Sequence, residues 1–229
     1  MPNRPDNALV HTSSDASDAP YPPAPWQTHG FGVFVPYVVK ERDLELPQGM
    51  EPIAVAGRCA GVLAYVVYSP PSPLHYNELI WMPCMVKTRS DSGRTYRGYY
   101  VSEMYVDDRV TLLAGREIWG LPKTWAQFDV GPGRVGVKAD DGTRVELTYR
   151  PRALGLPVRS RMSTLQSTPG GVIQFRAQMR GTARPCSVEV GELSSTRSTW
   201  QSFQSATRVS GAAVEIRPFD SKMCEPTRL

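Results

Sequence analysis

Short apolar runs rich in β-branched and aromatic residues, cut repeatedly by Gly and Pro, restrict this chain to a mainly β fold. They occupy residues 30–39 (GFGVFVPYVV), 60–68 (AGVLAYVVY), 78–87 (ELIWMPCMVK) and 97–114 (RGYYVSEMYVDDRVTLLA). Residues 134–149 alternate apolar and polar on both sides of Asp141-Gly142, the strongest short-range signal of a hairpin. Further strands are expected at 172–179, 186–193 and 212–217. Helical periodicity is confined to short pieces, at 122–128 and 199–207. Many short strands with Gly/Pro punctuation predict an antiparallel sandwich or barrel with short helices.

The 229 residues suffice for one core. Residues 1–25 are rich in Pro, Ser, Asp and Ala and read as a flexible tail. One domain is expected over 26–220, followed by a C-terminal tail over 221–229. Hydrophobic residues make up 41% and charged residues 21%, ordinary for a globular protein. The net charge of +4 is spread thinly, so neither nucleic acid nor a membrane surface is an expected partner. No apolar run approaches the roughly 20 residues of a membrane-spanning helix. The first 25 residues lack the apolar core of a secretory signal. A cytoplasmic protein with reduced thiols is the expectation. Cys59, Cys84, Cys186 and Cys224 form no CxxC pair, and His11, His29 and His75 are scattered, so no metal site is expected.

Lysine is scarce, with five against 21 arginines, which draws attention to one lysine inside an apolar motif. The stretch Gly115-Arg116-Glu117-Ile118-Trp119-Gly120-Leu121-Pro122-Lys123-Thr124-Trp125 sets Lys123 among aromatic neighbours. Pro122 is placed to open a short helix, with Lys123 beside it. A free lysine is neutral in only about one molecule in 2,500 at pH 7, and only the neutral amine attacks a carbonyl. Burial among apolar groups disfavours the ammonium and raises the share of free amine. Composition alone leaves open a lysine that lays its stem on Trp125 and its head in water.

The segment Tyr100 to Lys123 resembles the acetoacetate decarboxylase superfamily. The resemblance rests on Tyr105-Val106-Asp107, then Gly-Arg-Glu, then an aromatic-x-x-Pro-Lys ending. It implies that Lys123 forms a Schiff base. A lysine activated by its surroundings in that family is also a standard example of nucleophilic catalysis. Tyr76-Asn77-Glu78 followed by Pro83 resembles a second family segment, which implies that Glu78 faces the lysine and handles a proton. Weaker similarity runs from about Pro23 to Phe219. The resemblance implies an antiparallel acetoacetate decarboxylase-like β-barrel, homo-oligomers and no cofactor, because the imine is itself the electron sink. Trp119 and Tyr76 are expected to line the pocket, from adjacency to Lys123 and Glu78.

Two departures bear on the reaction. Thr124 stands where the true decarboxylases carry a second lysine. Residues 30–39 hold no arginine and residues 61–68 no carboxylate, where those enzymes place an arginine and an extra glutamate. The expected activity is therefore a lysine-imine carbon–carbon lyase on a small oxo acid. An aldolase-dehydratase or cyclase of secondary metabolism, acting on a polyketide-like substrate, stands beside it, as does a non-catalytic binding barrel. The arginines at 150, 152, 159, 161, 176, 180 and 184 read as solvated strand faces; any that point inward are suited to a substrate carboxylate. Gly131-Pro132-Gly133-Arg134-Val135-Gly136 matches G-x-G-x-x-G, but an alternating strand follows it instead of a helix, so it reads as a turn.

Overall fold

A computed structural model describes residues 20–229. The expected N-terminal tail lies for the most part outside the described residues. Strands dominate, as the punctuated apolar runs predict. The first is β1 (Trp26–Lys40), followed by β2 (Glu51–Pro52), β3 (Arg58–Ser69), β4 (Tyr76–Met82), β5 (Cys84–Arg89), β6 (Thr95–Tyr100) and β7 (Glu103–Val106). Helix α1 (Arg109–Trp119) leads into β8 (Lys123–Gly131), β9 (Arg134–Ala139), β10 (Arg144–Pro151), β11 (Leu156–Thr168) and the long β12 (Gly171–Ser194). A short helix α2 (Gln201–Gln204), β13 (Thr207–Arg208), β14 (Val214–Met223) and β15 (Thr227–Arg228) complete the chain.

The strands pair in the order β10-β9-β8-β7-β4-β3-β1-β14-β12-β11-β6-β5-β2. Strand β10 also pairs with the C-terminal half of β12, so hydrogen bonding returns on itself from β12 through β14, β1, β3, β4, β7, β8, β9 and β10. The other half of β12 forms a long hairpin with β11.

The continuous apolar run of β3 reflects burial on both faces. Leu63 and Tyr65 enter the main core with Val33, Val35, Leu79 and Trp81, while Ala64 and Val66 join Ile216 and Phe219 on the opposite face. Along β9 and β10, Val135, Val137, Ala139, Val145, Leu147 and Tyr149 are buried and most of their neighbours exposed, which is the expected hairpin turning at Asp141-Gly142. The six-residue glycine motif is the β8–β9 turn. Deep in the main core, the Glu103 carboxylate takes hydrogen bonds from Tyr105 at 3.1 Å and from Thr199, and pairs with Arg197 at 3.1 Å. Burial pushes that carboxyl up despite these partners.

Three local expectations fail. Residues 109–114 belong to a helix, not a strand. Asp108 caps it by accepting the Thr111 N–H at 2.7 Å, and Gly120 ends it in the left-handed conformation (φ 63°) that glycine tolerates best. The buried positions Thr111, Ala114, Gly115 and Trp119 follow helical spacing. Residues 122–128, expected as a helix, fall for the most part in strand β8, because Lys123, Thr124 and Trp125 pair in parallel with Met104, Tyr105 and Val106. Parallel neighbours need a crossover, and α1 supplies it. The C-terminal tail expected from 221 is not a tail either. Strand β14 runs to Met223 and β15 pairs with Ile173 and Gln174 of β12.

Candidate active site

The β7–α1–β8 crossover builds the site. Register places Lys123 beside Met104, Met104 beside Ile80, and Glu78 two residues from Ile80 on the same strand face. Tyr76 precedes Glu78 by two, so it shares that face. Helix α1 lies over it. Its N-cap Asp108 sets the first turn and brings Thr111 to the lysine. In its last turn, Arg116 Nε donates to the Lys123 carbonyl at 2.7 Å, tying the helix to the start of β8.

Lys123 and Glu78 are both 3% exposed, and Lys123 Nζ lies 3.0 Å from Glu78 Oε2. The ammonium also donates to Thr111 Oγ1 at 2.9 Å and makes a long contact of 3.5 Å to the Tyr76 hydroxyl. It stands 4.8 Å from the centre of the Tyr76 ring. Glu78 Oε1 accepts from the Tyr68 hydroxyl at 3.2 Å. Both carboxylate oxygens and all three ammonium donors thus have partners. Burial raises the pKa of both phenols well above the ordinary tyrosine value, and the Glu78 carboxylate raises them further. Tyr68 and Tyr76 therefore remain neutral hydroxyls.

The lysine stem passes the helix at Gly115. A Cβ there would lie 2.4 Å from Lys123 Cδ and 2.6 Å from Cε, closer than real contacts allow. Behind the pair, Asp107 grips β4. It accepts the Asn77 backbone N–H and the Asn77 side-chain amide, each at 2.7 Å, one residue before Glu78.

A cavity of about 690 Å³ opens beside this cluster, and Glu78 and Tyr68 form part of its wall. Most of the wall is apolar, including Phe34, Ile80, Met104, Leu121, Phe175 and Phe219. It occupies the face of β1, β3 and β4 opposite the main core, under the β11–β12 hairpin.

The structure brings Lys123, Glu78 and Tyr76 together, but of the three only Glu78 belongs to the cavity wall, so the expectation that Tyr76 lines the pocket is corrected: it packs behind Glu78, against the lysine. It sets Trp119 apart. That ring packs edge-on against Trp26 at 4.9 Å and beside Phe175 at 6.3 Å, and its indole N–H donates to the Cys224 carbonyl at 3.1 Å. Trp119 is absent from the cavity wall and stands behind Phe175, so the expectation that it lines the pocket is corrected. Nearness in sequence misled, because the helix turns Trp119 away before the chain enters β8. Sequence reasoning missed Tyr68, Thr111 and Gly115. The helical signature from Asp108 to Gly120 would have found the last two; Tyr68 has no local signal. Of the arginines considered, Arg159 and Arg161 border the cavity, whereas Arg180 pairs with Asp220 and Arg184 with Glu215.

The model of the acetoacetate decarboxylase family matches residues 10–214. Comparison with curated protein sequences finds no match. Among solved structures, an acetoacetate decarboxylase from Legionella pneumophila is 18% identical with a TM-score of 0.57, over 91% of this chain and 88% of that one. The enduracididine biosynthesis enzyme MppR complexed with pyruvate is 16% identical with a TM-score of 0.56, over 99% of this chain and 98% of that one. The same enzyme complexed with the condensation product of pyruvate and imidazole 4-carboxaldehyde gives 16% and 0.55, over 99% and 97%. At these identities the structural likeness concerns the fold alone. The family match spans most of the chain, and the chain therefore belongs to the acetoacetate decarboxylase family.

Proposed function

We propose that this protein is an imine-forming carbon–carbon lyase acting on an oxo acid, with Lys123 as nucleophile and Glu78 as its proton acceptor and donor. The observation that carries this reading is the buried 3.0 Å contact between Lys123 Nζ and Glu78 Oε2, with Glu78 forming part of the wall of a mostly apolar cavity. The ring of pairings from β12 back to β10 is, on this reading, the barrel that holds the pair in place.

Lys123 must shed a proton before it attacks, and Glu78 is within direct reach to take it. The amine adds to the ketone carbon, and water leaves as the carbon–nitrogen double bond forms. The protonated imine then draws the electron pair of the breaking carbon–carbon bond, whether carbon dioxide or an aldehyde departs. An enamine remains. Glu78 delivers a proton to its carbon, taken from the hydroxyl of the departing aldehyde or, where carbon dioxide leaves, from water; water then hydrolyses the imine to free the lysine and the ketone product. Tyr68 holds the carboxylate from its far side, and Thr111 holds the nitrogen.

Aldol condensation through the same enamine is the second reading. It is supported by Thr124 where the true decarboxylases carry a second lysine, and by the condensation product held by MppR. The test is to incubate the protein with pyruvate or acetoacetate, add borohydride and map the adduct by peptide mass. A reduced adduct on the peptide carrying Lys123 is expected. Adducts that persist in Lys123→Ala, or none at all, would refute the proposal. Carbon dioxide release from acetoacetate separates the two reactions.

A further inference from the structure

We infer that the substrate is an extended carbonyl compound with an apolar body and an anionic far end, its carbonyl at Lys123 and its anion at Arg159 and Arg161. This rests on the imine reading and adds the class of substrate.

Volume is the first observation. A cavity of about 690 Å³ falls within the ~300–1,000 Å³ of sites for drug-sized ligands. Pyruvate or acetoacetate, with only a few heavy atoms, would leave most of it unfilled. Charge is the second. Among the described residues, the cationic or acidic side chains on the wall are Glu78, Arg159 and Arg161. Glu78 is already neutralised by Lys123, so the remaining charge is positive and sits at one place.

Position is the third. Leu121, just before the lysine, belongs to the wall, and the neighbouring Gly120 abuts Thr168 and Gln166 of β11. The two arginines lie five to nine residues back along that extended strand, on the order of 15–30 Å between backbones at ~3.3 Å per residue, a gap that the long lysine and arginine side chains shorten from both ends. The space between is walled by Met162, Met179 and Phe175, among other apolar side chains. Strand β11 meets β6 at Thr164, and among the described residues, 156–163 pair with β12 alone. Both arginines are exposed along this edge, where the cavity meets solvent. Guanidinium groups at such an edge suit a carboxylate, which they bind through paired N–H donors.

The test uses methyl ketones ending in a carboxylate, from acetoacetate through 5-oxohexanoate and 7-oxooctanoate to 9-oxodecanoate, with 2-decanone as the uncharged reference. Borohydride trapping on Lys123 is timed at subsaturating concentration. The apparent rate constant is expected to rise by roughly fourfold per added methylene while the chain stays within the cavity. In R159Q/R161Q, the rate ratio of 9-oxodecanoate to 2-decanone is expected to fall about tenfold, since the pair is partly exposed. A rate that is flat or falls with chain length overturns the inference, as does an unchanged ratio in the double variant. Either result would leave acetoacetate trapping, and hence the imine reading, intact. No adduct with any ketone overturns the imine reading and this inference together.

Discussion

Replacing Gly115 with alanine is expected to silence Lys123 without unfolding the protein. The added Cβ would start 2.4 Å from Lys123 Cδ, and ordinary contact begins at 3.4 Å, so the lysine stem must retreat by about 1 Å. The helix cannot easily yield instead, because Arg116 ties it to β8 and Asp108 caps its other end. Nζ then loses its 3.0 Å contact with Glu78 and its 2.9 Å bond to Thr111. A misplacement of ~1 Å is enough to cost roughly a hundredfold in a reaction that depends on position. Stability moves less. Alanine gains up to ~1 kcal/mol over glycine inside a helix, while overpacking costs about 1–3 kcal/mol. Borohydride trapping with pyruvate, alongside a thermal melt, separates the two effects. A folded Gly115→Ala protein that traps ketone as fast as the parent would refute the reasoning.

Glu78→Gln keeps the shape and removes the proton acceptor; trapping is expected to slow by ~10²–10⁴-fold, read by timed mass spectrometry. Asp107→Ala removes the acceptor of two 2.7 Å hydrogen bonds from Asn77, and chemical denaturation is expected to report a loss of about 3 kcal/mol. Asp141 supplies a pH test. Burial works to raise its pKa, but hydrogen bonds from Thr143 and Arg197 outweigh it and bring the folded value below 3.8. A lowered carboxyl stabilises the fold above the unfolded value and loses that contribution as pH falls through the folded one. Melting temperature should therefore fall below pH 3.8 less steeply in Asp141→Asn than in the parent. An identical slope would contradict this.

Much of the sheet was legible because strand faces are written locally. The alternation around Asp141-Gly142 reports a hairpin buried on one side, and the unbroken run of β3 a strand buried on both. Lys123 and Glu78 were legible for a different reason: each lies in a short segment resembling a family motif. Tyr76 was expected only from adjacency to Glu78; the two-residue period of β4 sets it on the same face as Glu78, but outside the cavity wall. Helix α1 was not legible from β propensity, since Val110 and Thr111 extend the apolar run before it. Its evidence lay in the cap residues Asp108 and Gly120. Without the helix, Thr111 and Gly115 could not be set over the lysine, and Trp119 was credited with a wall it does not form. Tyr68 reaches Glu78 across a pair of neighbouring strands, a contact that only tertiary structure specifies.

The most direct measurement is a crystal structure of the protein after borohydride reduction in the presence of a ketone. Density continuous from Lys123 Nζ into the cavity, with Glu78 alongside the new carbon–nitrogen bond, is the predicted result. An unmodified Lys123 still paired with Glu78, or a ketone attached to a different residue, would contradict the account.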